Sequence, residues 1–323
     1  MDILQQSYNY GKSPLISSSL RQPYNTYLFG GSISHSLSPL LHGVLFGSHG
    51  TSWKFHLAQT TNKLKFKDKL AASDTIGISI TMPNKVTFGP LLDDLAEPAR
   101  VIGAVNTTFV RLSPEGKRRH IGTNTDCVGI REAIFSNEPD VVTVAKGNPA
   151  MVIGGGGAAR SAIYTLWKWF SPSEIYIANR FRSEVDDIMA HFEKEMPGIR
   201  LRYIADVATA EALPIPSIIV STIPDYPPSQ PEEILCAQVC ERIIQKAGTG
   251  LFVDMCYMPS PKTRLLNTAS GRGWKTIMGT DILVRVCIAQ QILWLERLPN
   301  DEGITSALKS IVYPREIVNP PKL

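Results

Sequence analysis

A two-lobed α/β chain is the fold class that this sequence predicts, and three observations predict it. The chain has 323 residues, 43% of them apolar. That is too much for one small core and suits two domains. From residue 24 to 110, short apolar runs alternate with helical stretches, the pattern of a mostly parallel sheet with helices packed on it. At 150, the run A-M-V-I-G-G-G-G-A-A-R joins a buried strand to a glycine turn and a long helix, which begins a doubly wound sheet.

Taken in order, residues 1–23 are rich in Ser, Gln, Asn and Pro and read as a flexible N-terminal tail. N-T-Y-L-F-G-G is a strand running into a glycine turn. S-P-L-L-H-G-V-L-F is a helix, with Ser38 as N-cap and Pro39 at the first helical position. S-W-K-F-H-L-A is a second strand and N-K-L-K-F-K-D-K-L a polar-faced helix. T-I-G-I-S-I-T is a third strand, followed by a helix through L-L-D-D-L-A. The third strand breaks at T-M-P-N-K, whose Lys85 by itself is an ordinary lysine at a strand end.

G-A-V-N-T-T-F-V-R, the turn L-S-P-E-G-K-R and R-H-I-G-T-N-T-D form a β-hairpin centred near Gly116. Folding the chain about that centre lays Asn106 across from Asp126, two polar side chains at the open end of the hairpin. The basic run K-R-R-H at 117–120 falls by the turn, where a solvated charge cluster is the default.

In the second half, Gly154, Gly156 and Ala159 have the G-x-G-x-x-A spacing of a Rossmann-type dinucleotide fingerprint, with Gly157 and Ala158 inside it. Glycines permit a tight turn and close approach of backbone to a pyrophosphate, which the helix N-terminus then receives. The G-K-[ST] ending of a P-loop is missing. The next strand, S-E-I-Y-I-A-N-R, ends at Asn179 and Arg180, followed by Phe181 and Arg182. An NAD site usually offers an acid there; two arginines suit a 2′-phosphate, which favours NADP(H), with NAD(H) as the alternative. P-S-I-I-V-S-T-I-P and G-L-F-V-D-M-C-Y supply later strands. D-I-L-V-R-V-C-I-A-Q-Q-I-L-W-L-E-R is an apolar helix, with another near 303–311.

The bulk numbers exclude several classes. Net charge is +4 at pH 7 with 19% charged residues, a mild bias toward small anions and no nucleic-acid footprint. No apolar run reaches membrane-spanning length and no signal-peptide pattern opens the chain. Cys127, Cys236, Cys240, Cys256 and Cys287 are widely spaced, with no C-x-x-C, which implies reduced thiols, no metal site and a cytoplasmic setting. Cys236 and Cys240 read as one buried helix face.

These motifs together resemble the shikimate/quinate dehydrogenase family over nearly all of residues 24–296, with the length and K-W-F segment most like its free-standing fungal members. The resemblance rests on S-H-S-L-S-P-L-L-H at 34–42, T-M-P-N-K at 81–85, G-A-V-N-T at 103–107, G-T-N-T-D-C-V-G at 122–129, I-G-G-G-G-A-A-R at 153–160, N-R at 179–180 and D-M-C-Y-M-P at 254–259. It implies an oxidoreductase of aromatic biosynthesis or quinate metabolism, acting on a small cyclic hydroxy acid as monomer or homodimer. Residues 24–126 would be the substrate lobe, completed by C-terminal helices over 281–315, and 127–280 the Rossmann lobe. Lys85 and Asp126 match the family's catalytic pair. Ser36 and Ser38 match its carboxylate-holding hydroxyls, and Thr81, Asn106 and Tyr257 surround the ring hydroxyls. Ser221, Thr222 and Gly279 match further cofactor contacts. The chain departs from the family at Asp281 and Val286, where a glycine and a substrate-touching glutamine are usual, with Gln290 one helical turn on as a replacement. It departs also at Ser79 and Gly43, where asparagine is usual. Two other readings stand beside the enzyme: a ligand sensor that turns nothing over, and an oxidoreductase for another hydroxylated cyclic acid.

Overall fold

The structure is a computed structural model that describes residues 2–246 and 250–312. The chain divides into two compact units. Among the described residues, the first comprises those up to Arg100, Ala104–Thr125 and those from Val284 onward; the second comprises Val101–Gly103 and those within Asp126–Leu283. Residues 313–315 of the expected C-terminal helices lie outside the described residues.

The first unit is built on six strands: β1 (Asn25–Gly30), β2 (Lys54–Gln59), β3 (Thr75–Ile80), β4 (Asp94–Leu95), β5 (Thr107–Leu112) and β6 (Arg118–Thr123). Their order is β2-β1-β3-β5-β6-β4. β1 pairs in parallel with β2 and β3, while β5 runs antiparallel to β3 and β6. Every residue of β3 (T-I-G-I-S-I) is buried, the small and polar Thr75, Gly77 and Ser79 as well as the three isoleucines, as befits a central strand covered on both faces. β2 lies at the edge and has only exposed and half-buried positions, none fully buried. Gly77 of β3 is there for packing: a Cβ on it would stand 2.0 Å from the Trp294 indole nitrogen. That nitrogen donates to the Thr108 carbonyl at 2.8 Å, so the last long helix (Gly279–Leu295) is pinned over β3 and β5.

Three sequence expectations change here. L-L-D-D-L-A forms no helix; it gives a 3₁₀ turn at Gly89–Leu91 and the short strand β4, and the helix starts at Glu97. A run of six with adjacent acids is too short to separate the two patterns. The hairpin pairs Thr107 with Thr123 and Leu112 with Arg118, so Asn124, and not Asp126, stands opposite Asn106. Residues 2–23 are not a loose tail. A helix at Asp2–Ser7 leads to Lys12, which bridges to Leu112. Ser7 and Tyr8 close over the buried Arg111, whose guanidinium pairs with Glu296 at 3.0 Å, bonds Ser7 and faces the Tyr8 ring at 4.9 Å. A buried guanidinium must be paired and hydrogen-bonded, and the polar segment supplies the partners.

The second unit holds β7 (Ala150–Ile153), β8 (Ile175–Ala178), β9 (Leu201–Tyr203), β10 (Ile218–Ser221), β11 (Leu251–Asp254) and β12 (Lys275–Ile277). All pair in parallel, in the order β12-β11-β10-β7-β8-β9. This is the doubly wound arrangement, and its strand order reverses between β7 and β10, where such sheets bind ligands. β7, β8, β10 and β11 are wholly buried. Met151, Tyr176, Ile219, Phe252 and Trp274 share one core cluster there.

Candidate active site

In the first unit, the polar residues singled out in the sequence are carried by three turns beyond the central strands. After β1, the Ser36 hydroxyl donates to the Ser38 hydroxyl at 3.1 Å and accepts the Ser38 backbone N–H at 3.2 Å. Ser38 therefore opens the helix Ser38–Ser48 from inside, and Leu37 is its N-cap. The expected N-cap role of Ser38 is not met; Ser36, just before the N-cap, accepts the Ser38 N–H two residues on, as serine hydroxyls do in local turns. Burial pushes the Cys287 thiol up, so it stays neutral beside the Ser38 hydroxyl. Two hydroxyls at a helix start are a receptor for a carboxylate.

After β3 the chain turns through Thr81–Lys85. The Thr81 N–H donates to the Phe29 carbonyl at 2.8 Å, and the Met82–Pro83 peptide bond is cis. Asn84 is buried, and its amide donates to the Thr60 carbonyl at 3.1 Å. The Lys85 carbonyl accepts from the Val105 N–H at 2.8 Å, so the backbone on both sides of the half-buried Lys85 is fixed.

The third turn follows β6. The Asn106 side-chain oxygen accepts from the Thr125 N–H at 2.7 Å and from the Thr107 hydroxyl at 2.9 Å. This anchors Thr125, the residue before Asp126. Asp126 itself begins the second unit's longer segment; it is buried and stands in the first turn of the helix Asp126–Asn137, where the helix dipole favours a carboxylate. Gln290, one helical turn beyond Val286, has both ends of its amide engaged within the protein. Its oxygen meets His42 Nε2 at 3.0 Å and its amide donates to the Thr107 hydroxyl at 2.9 Å. Both ends are used in a buried network, while Val286 presents a buried aliphatic group.

In the second unit, Gly154 ends β7 with φ +126°, and a Cβ on it would stand 2.3 Å from the Thr222 hydroxyl. That hydroxyl donates to the Ile153 carbonyl at 2.8 Å, closing the β7 turn onto the one after β10. Space beside Gly156 is open. Gly156 is the N-cap of the helix Gly157–Phe170 and offers it no side-chain cap. Gly157, Ala158 and Ala159 form its first turn, with Ala159 buried against the sheet. A tight turn, open space and an uncapped helix start fit a pyrophosphate. Ser221 is buried at the end of β10. Gly279 sits against the Met255 and Cys256 carbonyls, where a Cβ would come within 2.6 Å of both. Asn179 and Arg180 follow β8. Arg180 pairs with Glu233 at 2.6 Å and Arg182 with Asp186 at 2.7 Å, so both predicted phosphate ligands are engaged by carboxylates.

A family model for the shikimate dehydrogenase substrate binding domain matches residues 28–108. A quinate dehydrogenase of Emericella nidulans is 36% identical over 303 residues, 88% of this chain and 92% of its own. The chain belongs to the shikimate/quinate dehydrogenase family. Among solved structures of this dehydrogenase family, shikimate dehydrogenase from Thermus thermophilus in complex with NADP(H) and shikimate matches with a TM-score of 0.68 and 25% identity, covering 88% of this chain and 98% of that one. Quinate dehydrogenase from Corynebacterium glutamicum in complex with NAD matches with a TM-score of 0.71 over 89% and 99% of the two chains, at 20% identity, a likeness of fold.

Two residues that the sequence reading of this dehydrogenase-family chain passed over hold predicted ones in place. Asn84 fastens the turn before Lys85. Asp254 fastens the turn that carries the half-buried Tyr257: its carboxylate accepts from the Cys256 N–H at 3.0 Å and from the Thr263 hydroxyl at 2.5 Å. Burial raises the Asp254 carboxyl to about 6. The polar residue inside T-M-P-N-K and the acid closing an otherwise apolar strand were the available signals. Among the described residues, no group of three or more His, Cys, Asp or Glu could hold a metal, and no helix is long and apolar enough to cross a membrane. The five cysteines are free thiols, Cys240 buried and Cys236 half-buried on one helix.

Proposed function

We propose that this member of the family is a nicotinamide-dependent dehydrogenase of shikimate or quinate. The observation that carries the reading is the joint presence of a fastened Lys85 turn, an anchored Asp126 and an uncapped glycine turn, in a chain 36% identical to a quinate dehydrogenase. Ser36 and Ser38 hold the ring carboxylate, and Thr81, Asn106 and Tyr257 bind ring hydroxyls. Oxidation of the ring alcohol removes a hydride from carbon and a proton from oxygen. Lys85 takes that proton, with Asp126 as its acidic partner. Gly154, Gly156, Gly157, Ala158, Ala159, Asn179, Ser221, Thr222 and Gly279 surround the dinucleotide, which when bound supplies the hydride acceptor. The arginines that suited NADP(H) in the sequence are already paired, so Arg180 reaches a 2′-phosphate only by leaving Glu233.

A second reading, a shift of substrate within cyclic hydroxy acids, is favoured by Val286 and by the prior commitment of Gln290 to His42 and Thr107. Following reduced nicotinamide by absorbance, with quinate and shikimate each paired with NAD and NADP, tests both. Turnover of either acid supports the first reading; turnover of neither, with dinucleotide still bound, leaves the second.

A further inference from the structure

The rim beside Asn179 carries more negative than positive charge, and each of its arginines has a partner. Arg180 lies over the Phe181 ring at 4.7 Å and pairs with Glu233 Oε1 at 2.6 Å. Glu233 is itself fixed: its second oxygen accepts from the Ser229 N–H at 3.0 Å and the Gln230 N–H at 3.2 Å. Arg182 is held by Asp186 one helical turn on. A third carboxylate, Glu184, reaches back from the start of the helix Arg182–Glu195. Its Oε2 accepts from Asn179 Nδ2 at 2.7 Å, and the same amide nitrogen donates to the Phe181 carbonyl at 3.0 Å. That carboxylate oxygen lies 2.6 Å from where a Cβ on Gly155 would stand, so the acid rests against the glycine turn while staying exposed to an incoming ligand.

The end of the second strand of such a sheet is where an acid accepts the ribose 2′-hydroxyl of NAD, or an arginine takes the 2′-phosphate of NADP. Here the strand ends in Asn179, and the asparagine presents the carboxylate of Glu184 at that place. We propose that Glu184 selects the cofactor: it accepts the 2′-hydroxyl of an adenosine ribose and repels a 2′-phosphate, so that NAD(H) is used in preference to NADP(H). This rests on the dinucleotide reading of the glycine turn given above. A hydroxyl donating to a carboxylate makes a charge-assisted bond. A phosphate monoester brings one to two further negative charges among three carboxylates, and must also separate Arg180 from Glu233 to gain a cation.

The test is kcat/KM for NAD and for NADP, with the better of quinate and shikimate, in the parent protein and in Glu184→Gln, Glu184→Arg and Glu233→Gln. The parent is expected to favour NAD by about tenfold or more. Glu184→Gln, which keeps shape and the reach to Asn179, should lower activity with NAD several-fold and narrow the ratio. Glu184→Arg should bring the ratio to parity or reverse it, and Glu233→Gln should raise activity with NADP by freeing Arg180. Dinucleotide affinities by calorimetry give the same ratio independently of turnover. A parent that prefers NADP, or a ratio unmoved in both Glu184 variants while NAD still binds, overturns the role of Glu184 alone. A parent that binds neither dinucleotide overturns the reading of the glycine turn, and the role of Glu184 with it.

Discussion

Lys85 shows how little a single residue says by itself. A lysine after a strand is solvated by default, and only the turn around it argues otherwise: the Asn84 amide on Thr60, and Val105 on the Lys85 carbonyl. Val286 is the buried residue at which the proposed substrate contact is put to the test. In Val286→Gln, a new amide facing a ring hydroxyl gains about 0.5–1.5 kcal/mol, so kcat/KM for quinate or shikimate should rise by roughly 2- to 10-fold. If the natural ligand is apolar at that point, the buried amide lacks a partner and affinity for that ligand falls, at a cost of about 1–3 kcal/mol. Steady-state kinetics with both acids read the sign. Arg180 was the least legible residue, because it and its partner Glu233 are 53 positions apart, and no local pattern connects them.

At the scale of elements, the strands were legible and the short connections were not. β7, β8, β10 and β11 are near-continuous apolar runs because they are buried on both faces, and β3 is buried likewise with isoleucine at every second position. The hairpin was placed correctly, but its register was two residues off, since the loop after Leu112 centres on Glu115 and not on Gly116. Residues 2–23 read as loose because their composition is polar; their order comes from a distant buried arginine that needs partners. Gly77 is a packing residue of the same hidden kind. Gly77→Ala drives a methyl into the Trp294 indole and should cost about 1–3 kcal/mol by overpacking. Urea unfolding would show a lowered midpoint; an unchanged midpoint would mean that Trp294 is not seated over β3.

Across the whole molecule, each unit holds one buried group whose titration opposes the other's. In the first, burial lowers His42 to about 3 from the ordinary 6.5. The unfolded chain then binds the extra proton first, so this contribution is full above about pH 6.5 and is lost as pH falls toward 3. In the second, burial raises Asp254 to about 6 from 3.8. That contribution is full below about pH 4 and is lost as pH rises through 6. Acidifying from pH 7 to about 4.5 should remove on the order of 3 kcal/mol through His42 and add on the order of 2 through Asp254. Amide hydrogen exchange should therefore show protection of β3 falling relative to that of β10. Equal changes in the two strands would contradict the shifted titration of one group, and Asp254→Asn should abolish the second effect alone.

The proposed chemistry turns on Lys85 taking the proton of a ring hydroxyl during dinucleotide-dependent oxidation. Its most direct test is turnover of quinate and shikimate by the parent and by Lys85→Ala, read as formation of reduced nicotinamide, with acid binding measured in parallel. The expected result is turnover in the parent and a loss of at least about 100-fold in the variant, with binding of the acid little changed. Near-normal turnover in Lys85→Ala would contradict the claim.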